Sequence, residues 1–91
     1  MRTQWSPEAL ADLAGIVRYI REDNPSAAER VRRTIRKGIS TLRDFPRMGR
    51  QGRKLDTREL VFTPLPYVVI YRLRENVIEI VRILHGAQRW P

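Results

Sequence analysis

The chain contains no cysteine, one histidine and only two lysines. Without cysteine there is no disulfide framework, no thiolate-bound zinc and no thiol nucleophile. His85 alone cannot build a multi-histidine metal centre, and no run of Asp or Glu surrounds it in sequence, so no metal or cofactor is expected. Long apolar runs are missing too: nothing approaches the roughly 18–20 residues of a membrane span. The opening Met1-Arg2-Thr3-Gln4-Trp5 has no secretory apolar core, so the expected compartment is cytoplasmic, with no membrane partner. A length of 91 residues suits one domain over 1–91. Such a domain buries roughly 60–65% of its unfolded surface and folds alone without much margin.

What is present in excess is arginine. Eighteen basic residues face ten acidic ones, a formal net charge of +8, and all the basic residues but Lys37 and Lys54 are Arg. Arginine offers a planar fork matched to phosphate and carboxylate, where lysine offers a point charge. A small domain of this kind suits nucleic acid or an acidic protein as partner.

The patterning predicts an α+β chain in the order β-α-α-β-β-β. Arg2 to Trp5 reads as a strand. Ser6-Pro7-Glu8 is a helix start, with a hydroxyl N-cap, proline at the first helical position and an acid in the first turn. Leu10, Leu13, Ile16/Val17 and Ile20 recur at helical spacing. Pro25 ends that helix near Asp23-Asn24, and Asn24-Pro25 caps the next. The second apolar face is Ala28, Val31, Ile35, Ile39, Leu42 and Phe45, stopped by Pro46. So short a link makes the two helices an antiparallel hairpin. Residues 46–54 read as a loop, with two glycines and four cations.

After the loop the period changes to that of strands. Residues 59–63, 67–73 and 77–84 are rich in β-branched and aromatic side chains, predicting a three-stranded antiparallel meander. A two-residue turn at Glu75-Asn76 sets Arg72 opposite Glu79. It divides the hairpin into a helix-facing side (Tyr67, Val69, Tyr71, Leu73, Ile78, Ile80, Leu84) and an open side (Val68, Ile70, Arg72, Glu79, Val81, Ile83, His85). So aliphatic an open face calls for a partner.

Isolated signals are weak. His85 reads as a general base or as a strand-end residue bonding backbone. Arg72 is a phosphate ligand or half of a cross-strand ion pair. Trp90 is a tail anchor or a docking residue. The helix-2 cations suit phosphate or plain solvation, whereas the loop cations Arg47, Arg50, Arg53 and Lys54 can approach a polyanion closely around Gly49 and Gly52. There is no P-loop, dinucleotide glycine pattern, metal motif or nucleophile triad.

Taken in order, Trp5-Ser6-Pro7-Glu8-Ala9, Asp12-Leu13, Tyr19-Ile20, Asn24-Pro25-x-Ala27-Ala28, Phe45-Pro46-x-x-Gly49-Arg50, Thr57-Arg58-Glu59-Leu60, Pro66-Tyr67-x-x-x-Tyr71-Arg72 and Leu84-His85-Gly86 span nearly the whole chain. The set resembles the RelE/ParE superfamily of toxins from type II toxin–antitoxin modules. The resemblance implies the RelE-like fold and a cognate antitoxin, often acidic, that wraps the toxin and alone carries it to operator DNA. It implies one of two targets. RelE-like members are ribosome-dependent mRNA endonucleases, and on that reading His85 is the base with Arg72 or Arg58 near the phosphate. ParE-like members bind DNA gyrase and have no known chemistry of their own. Nuclease members tend to carry Arg about where Val68 stands and about where Glu59 stands, and several follow the His with Tyr, where this chain has Gly86. The resemblance therefore points to the ParE side. Val68, Ile70, Val81 and Ile83 are then the expected antitoxin contacts. Arg50, Arg53, Lys54, Arg89 and Trp90 are the expected target contacts.

Overall fold

The computed structural model describes residues 1–86, 88 and 90. Strand β1 (Arg2–Trp5) leads into α1 (Pro7–Arg21) and α2 (Pro25–Thr41). A two-residue strand β2 (Arg50–Gln51), then β3 (Arg58–Val61), β4 (Tyr67–Arg74) and β5 (Val77–His85) complete the order. The sheet runs β1-β5-β4-β3-β2. β1 lies parallel to β5, and the other pairs are antiparallel.

Both helices start where the sequence places them. Ser6 Oγ accepts from the Ala9 amide at 2.9 Å, and Asn24 Oδ1 accepts from the Ala27 amide at 3.0 Å. Each side chain satisfies an amide the first turn leaves without a partner. The core is built from Ala9, Leu13 and Val17 of α1, Ala28, Ile35 and Ile39 of α2, and Leu60, Val69, Tyr71, Ile78, Ile80 and Ile83 of the sheet.

Two apolar residues fall outside the face expected of them. Leu10 is 53% exposed, because Ala9, Leu13 and Val17, four apart, take the seam instead. Phe45 is 62% exposed. After Thr41 the chain tightens into three-residue hydrogen bonds, Leu42 to Ile39, Arg43 to Ser40 and Asp44 to Thr41. That turn advances faster than an α-helix and carries Phe45 off the buried stripe.

The β4–β5 hairpin has the expected register near its turn, with Arg74 opposite Val77, Leu73 opposite Ile78 and Arg72 opposite Glu79. Further along, Tyr71 pairs with Ile80 but Ile70 pairs with Arg82, so Val81 is an extra residue on β5. A bulge of one residue exchanges the two faces beyond it. This corrects the expected division. Ile83 lies on the helix side in the core, opposite Val69, and Leu84 lies on the far side, opposite Val68. His85 moves with Ile83, pairing with Tyr67.

The N-terminal third of the chain holds this bulge. Ser6 Oγ donates to the Val81 carbonyl at 2.8 Å, and the Ser6 amide donates to Ile80 O at 2.9 Å. β1 stops at Trp5 opposite Ile80, so β5 is an edge beyond that point. There Asp12 of α1 takes over, accepting from the Ile83 amide at 2.9 Å and from Arg82 Nε and Nη2 at 2.7 and 3.0 Å. The same carboxylate raises the Arg82 guanidinium above its ordinary pKa, chiefly through that hydrogen bond. Asp12→Ala leaves the strand amide and the guanidinium without their acceptor. It should cost about 1.5–3 kcal/mol, seen as a lower urea midpoint at unchanged slope.

Candidate functional site

Three surfaces collect the residues singled out above. The first is the sheet face turned away from the helices. Arg72 Nε meets Glu79 Oε1 at 2.6 Å, and Arg74 Nε approaches the same oxygen at 3.6 Å. Arg72 is therefore engaged in the cross-strand ion pair. The aliphatic part of this face is narrower than expected. Ile70 is 2% and Leu84 3% exposed, Ile83 has left for the core, and Val68 and Val81 are half-buried. Trp90 shares a cleft with Arg72, Glu79 and Val81, and its ring lies 5.8 Å from Lys54 Nζ. Arg89 lies outside the described residues.

The second surface is the segment between α2 and β3. It is more ordered than a loop reading implies, and three side chains of the sheet, Tyr71, Glu59 and Arg58, are responsible. The Tyr71 hydroxyl donates to Pro46 O at 2.7 Å and accepts from the Gly49 amide at 2.9 Å. A Cβ at position 49 would sit 2.6 Å from that ring, so only glycine permits the approach. The Glu59 carboxylate, 6% exposed, accepts from Arg50 Nε and Nη2 at 3.1 and 2.9 Å and from the Arg53 amide at 3.3 Å. Arg50 therefore joins the sheet as β2, opposite Glu59. Arg58 Nη1 donates to the carbonyls of Gly49 and Arg47 at 2.8 and 3.3 Å, tying the segment to β3. Glu59 as the anchor was missed in the sequence; its signal is the opposite charge of Arg50 across a glycine-bearing turn.

The candidate nuclease residues are not brought together. His85 pairs with Tyr67 and its ring meets that of Tyr67 edge-on at 5.9 Å. Arg58 pairs with Tyr71, on the same side of the sheet but four residues along β4, or roughly 13 Å at about 3.3 Å per residue. Arg72, next in sequence to Tyr71, points to the opposite face. Among the described residues no group of three or more His, Cys, Asp or Glu side chains could hold a metal ion.

The third surface was not anticipated. A groove of about 430 Å³ runs between the helices, floored by Leu10, Leu13, Ala14 and Val17 and rimmed by Arg18, Arg21, Arg32 and Arg36. The exposed Leu10 lies in it.

The whole chain can be set beside known proteins. Residues 3–90 match the model of the ParE toxin family, described as the ParE toxin of the type II toxin–antitoxin system parDE. The chain belongs to the ParE toxin family. This ParE-family toxin is 41% identical over 90 residues to a Sinorhizobium fredii protein provisionally named toxin Y4kP, covering 99% of this chain and 93% of that one. It is 38% identical over 84 residues to a Caulobacter vibrioides protein named toxin RelE2, covering 92% and 93%. Its fold matches a chain of the chromosomal ParDE system from P. aeruginosa at a TM-score of 0.86 and 24% identity, over 93% of this chain and 95% of the other. It also matches a chain of the intact E. coli RelBE toxin–antitoxin complex at 0.67 and 15% identity, over 96% of each. The last two likenesses establish the RelE-like fold. Among the described residues no helix of this ParE-family toxin is long and apolar enough to cross a membrane.

Proposed function

We propose that this toxin acts as a binding module that inhibits DNA gyrase in the cytoplasm and is neutralised by a cognate antitoxin. The observation that carries the reading is the dispersal of the nuclease candidates. A base and the cations that stabilise a transition-state phosphate must converge within hydrogen-bond reach of one reacting group. Here His85 and Arg58 are separated along the sheet, and Arg72 lies on the other face beside Glu79. On this reading the exposed Arg53 and Lys54, with Arg50 of β2, whose guanidinium is held by Glu59 but whose side chain is largely exposed, and with Arg89 and Trp90, remain the candidate target contacts.

The antitoxin surface is revised. Of its four expected contacts, Val68 and Val81 stay half-exposed, whereas Ile70 is closed over and Ile83 is in the core. The groove between the helices is the better seat, since an apolar floor with an arginine rim complements an acidic amphipathic segment.

A second reading, ribosome-dependent mRNA cleavage, is favoured by the Caulobacter relative's name and by His85. Expression without antitoxin separates the two. Gyrase inhibition should induce the DNA-damage response before protein synthesis falls, and His85→Ala should arrest growth as the parent does. Early translation shutdown, relieved by His85→Ala, would instead favour cleavage.

A further inference from the structure

We propose that the cleft between β1 and the second half of α2 is a binding site for the sugar–phosphate backbone of duplex DNA, contacted by the toxin itself. The sequence reading gives DNA to this chain only through its antitoxin. The cleft argues for a direct contact, whichever target the toxin inhibits.

The cleft measures about 440 Å³, and its charged lining is Arg32, Arg33, Arg36, Lys37 and Arg43; among the described residues no carboxylate lines it. Arg32 is paired with Glu29, but Arg33, Arg36, Lys37 and Arg43 make no ion pair among the described residues. So dense a set of like charges raises the local concentration of a polyanion. Two of these groups are already positioned. The Arg36 guanidinium stacks over the Trp5 ring at 5.5 Å, and Arg43 Nη2 donates to Ser40 Oγ at 2.5 Å. Side chains held in place lose less freedom when a ligand arrives.

Spacing favours a regular polyanion. Arg33, Arg36, Lys37, Ser40 and Arg43 recur on one side of the helix and its exit turn. From Arg33 to Arg43 the stripe covers about 15 Å, at roughly 1.5 Å per residue. One DNA strand presents a phosphate about every 3.4 Å along the axis, so the stripe spans roughly four. The cleft also differs from the groove between the helices. That groove has a floor of Leu10, Leu13, Ala14 and Val17, which suits an amphipathic peptide, whereas this one offers cations beside Thr3 and Ser40 hydroxyls. Hydroxyls and arginine forks are the groups that contact phosphate oxygens.

The test is fluorescence anisotropy of the purified toxin with a labelled 12-base-pair duplex of arbitrary sequence, across 50–200 mM salt. A triple variant, Arg33→Gln with Lys37→Gln and Arg43→Gln, spares Arg32 and Arg36, which both clefts share. A charge-matched control, Arg18→Gln with Arg21→Gln and Arg74→Gln, removes the same charge elsewhere. All six side chains are exposed, and thermal melts confirm that both variants fold. The triple variant of the β1–α2 cleft should bind at least tenfold more weakly at 100 mM salt and flatten the log K against log salt slope by roughly 2.5–3, about 0.9 per lost phosphate contact. The control should keep the parent slope. Equal losses in both variants, no loss in the cleft triple variant, or tighter binding of a 12-nucleotide single-stranded RNA than of the duplex would overturn the assignment.

Discussion

Replacing Tyr71 by alanine should lower the unfolding free energy by about 4 kcal/mol, the largest stability effect expected of any single truncation in this chain. Tyr71 has no exposed surface and lies mid-strand in β4, paired with Arg58 of β3 and Ile80 of β5. Its ring fills the core while its hydroxyl serves Pro46 O and the Gly49 amide. The alanine variant loses both roles. In a domain of this size, about 4–8 °C per kcal/mol places its melting temperature some 15–30 °C lower. Tyr71→Phe keeps the ring and leaves the two backbone groups without their partner, for an expected loss of about 1–3 kcal/mol. The pH profile separates the two contributions. Burial pushes the Tyr71 hydroxyl above its ordinary pKa of 10.0. Above that value the unfolded chain releases the proton and the folded chain keeps it, so stability falls as pH rises, by up to about 1.4 kcal/mol per unit for one group. Stability from this source is complete below pH 10 and is lost until the folded pKa is passed. Tyr71→Phe should reduce that alkaline slope. Tyr67, half-buried and raised in the same direction by burial, accounts for a remainder. An unchanged slope in Tyr71→Phe would show that the hydroxyl is not held as described.

The second large effect concerns the antitoxin. Leu10→Asp should weaken antitoxin binding at least thirtyfold, because a central apolar contact is worth about 2 kcal/mol or more and the new charge must be buried against an acidic partner. The fold should hardly register the change, since Leu10 is 53% exposed in the first turn of α1, where an acid is tolerated. Val68→Asp, on the far sheet face, should have less effect. Calorimetric titration of each purified variant with the antitoxin is the check. If Val68→Asp abolishes binding and Leu10→Asp does not, the antitoxin lies on the sheet and the groove assignment is wrong.

Local chemistry made much of the fold legible. Ser6-Pro7 and Asn24-Pro25 start both helices because a capping side chain followed by proline has few other uses. The two-residue turn at Glu75-Asn76 fixes the hairpin register near its end, and the opposite charges of Arg72 and Glu79 that it brings together support that alignment. What escaped was long-range. Val81 sits in a strand rich in β-branched residues, and no glycine marks the bulge; Ser6 and Asp12 hold it from across the molecule. Without the bulge, Ile83 reads as a residue of the open face and Leu84 of the helix face, the reverse of their places in the sheet. The loop order was hidden for a similar reason, since Tyr71 and Glu59 act on residues 46–53 from the strands. Leu10 satisfied the helical period, and only the packing of Ala9, Leu13 and Val17 reveals that it faces outward.

The most direct measurement is the supercoiling of relaxed plasmid by purified gyrase, with the toxin added alone and then with its antitoxin. A binding module without its own chemistry should halt supercoiling at near-stoichiometric toxin, recover it on adding antitoxin, and leave translated mRNA uncut. Full supercoiling at saturating toxin, together with codon-phased cuts in that mRNA, would contradict the account.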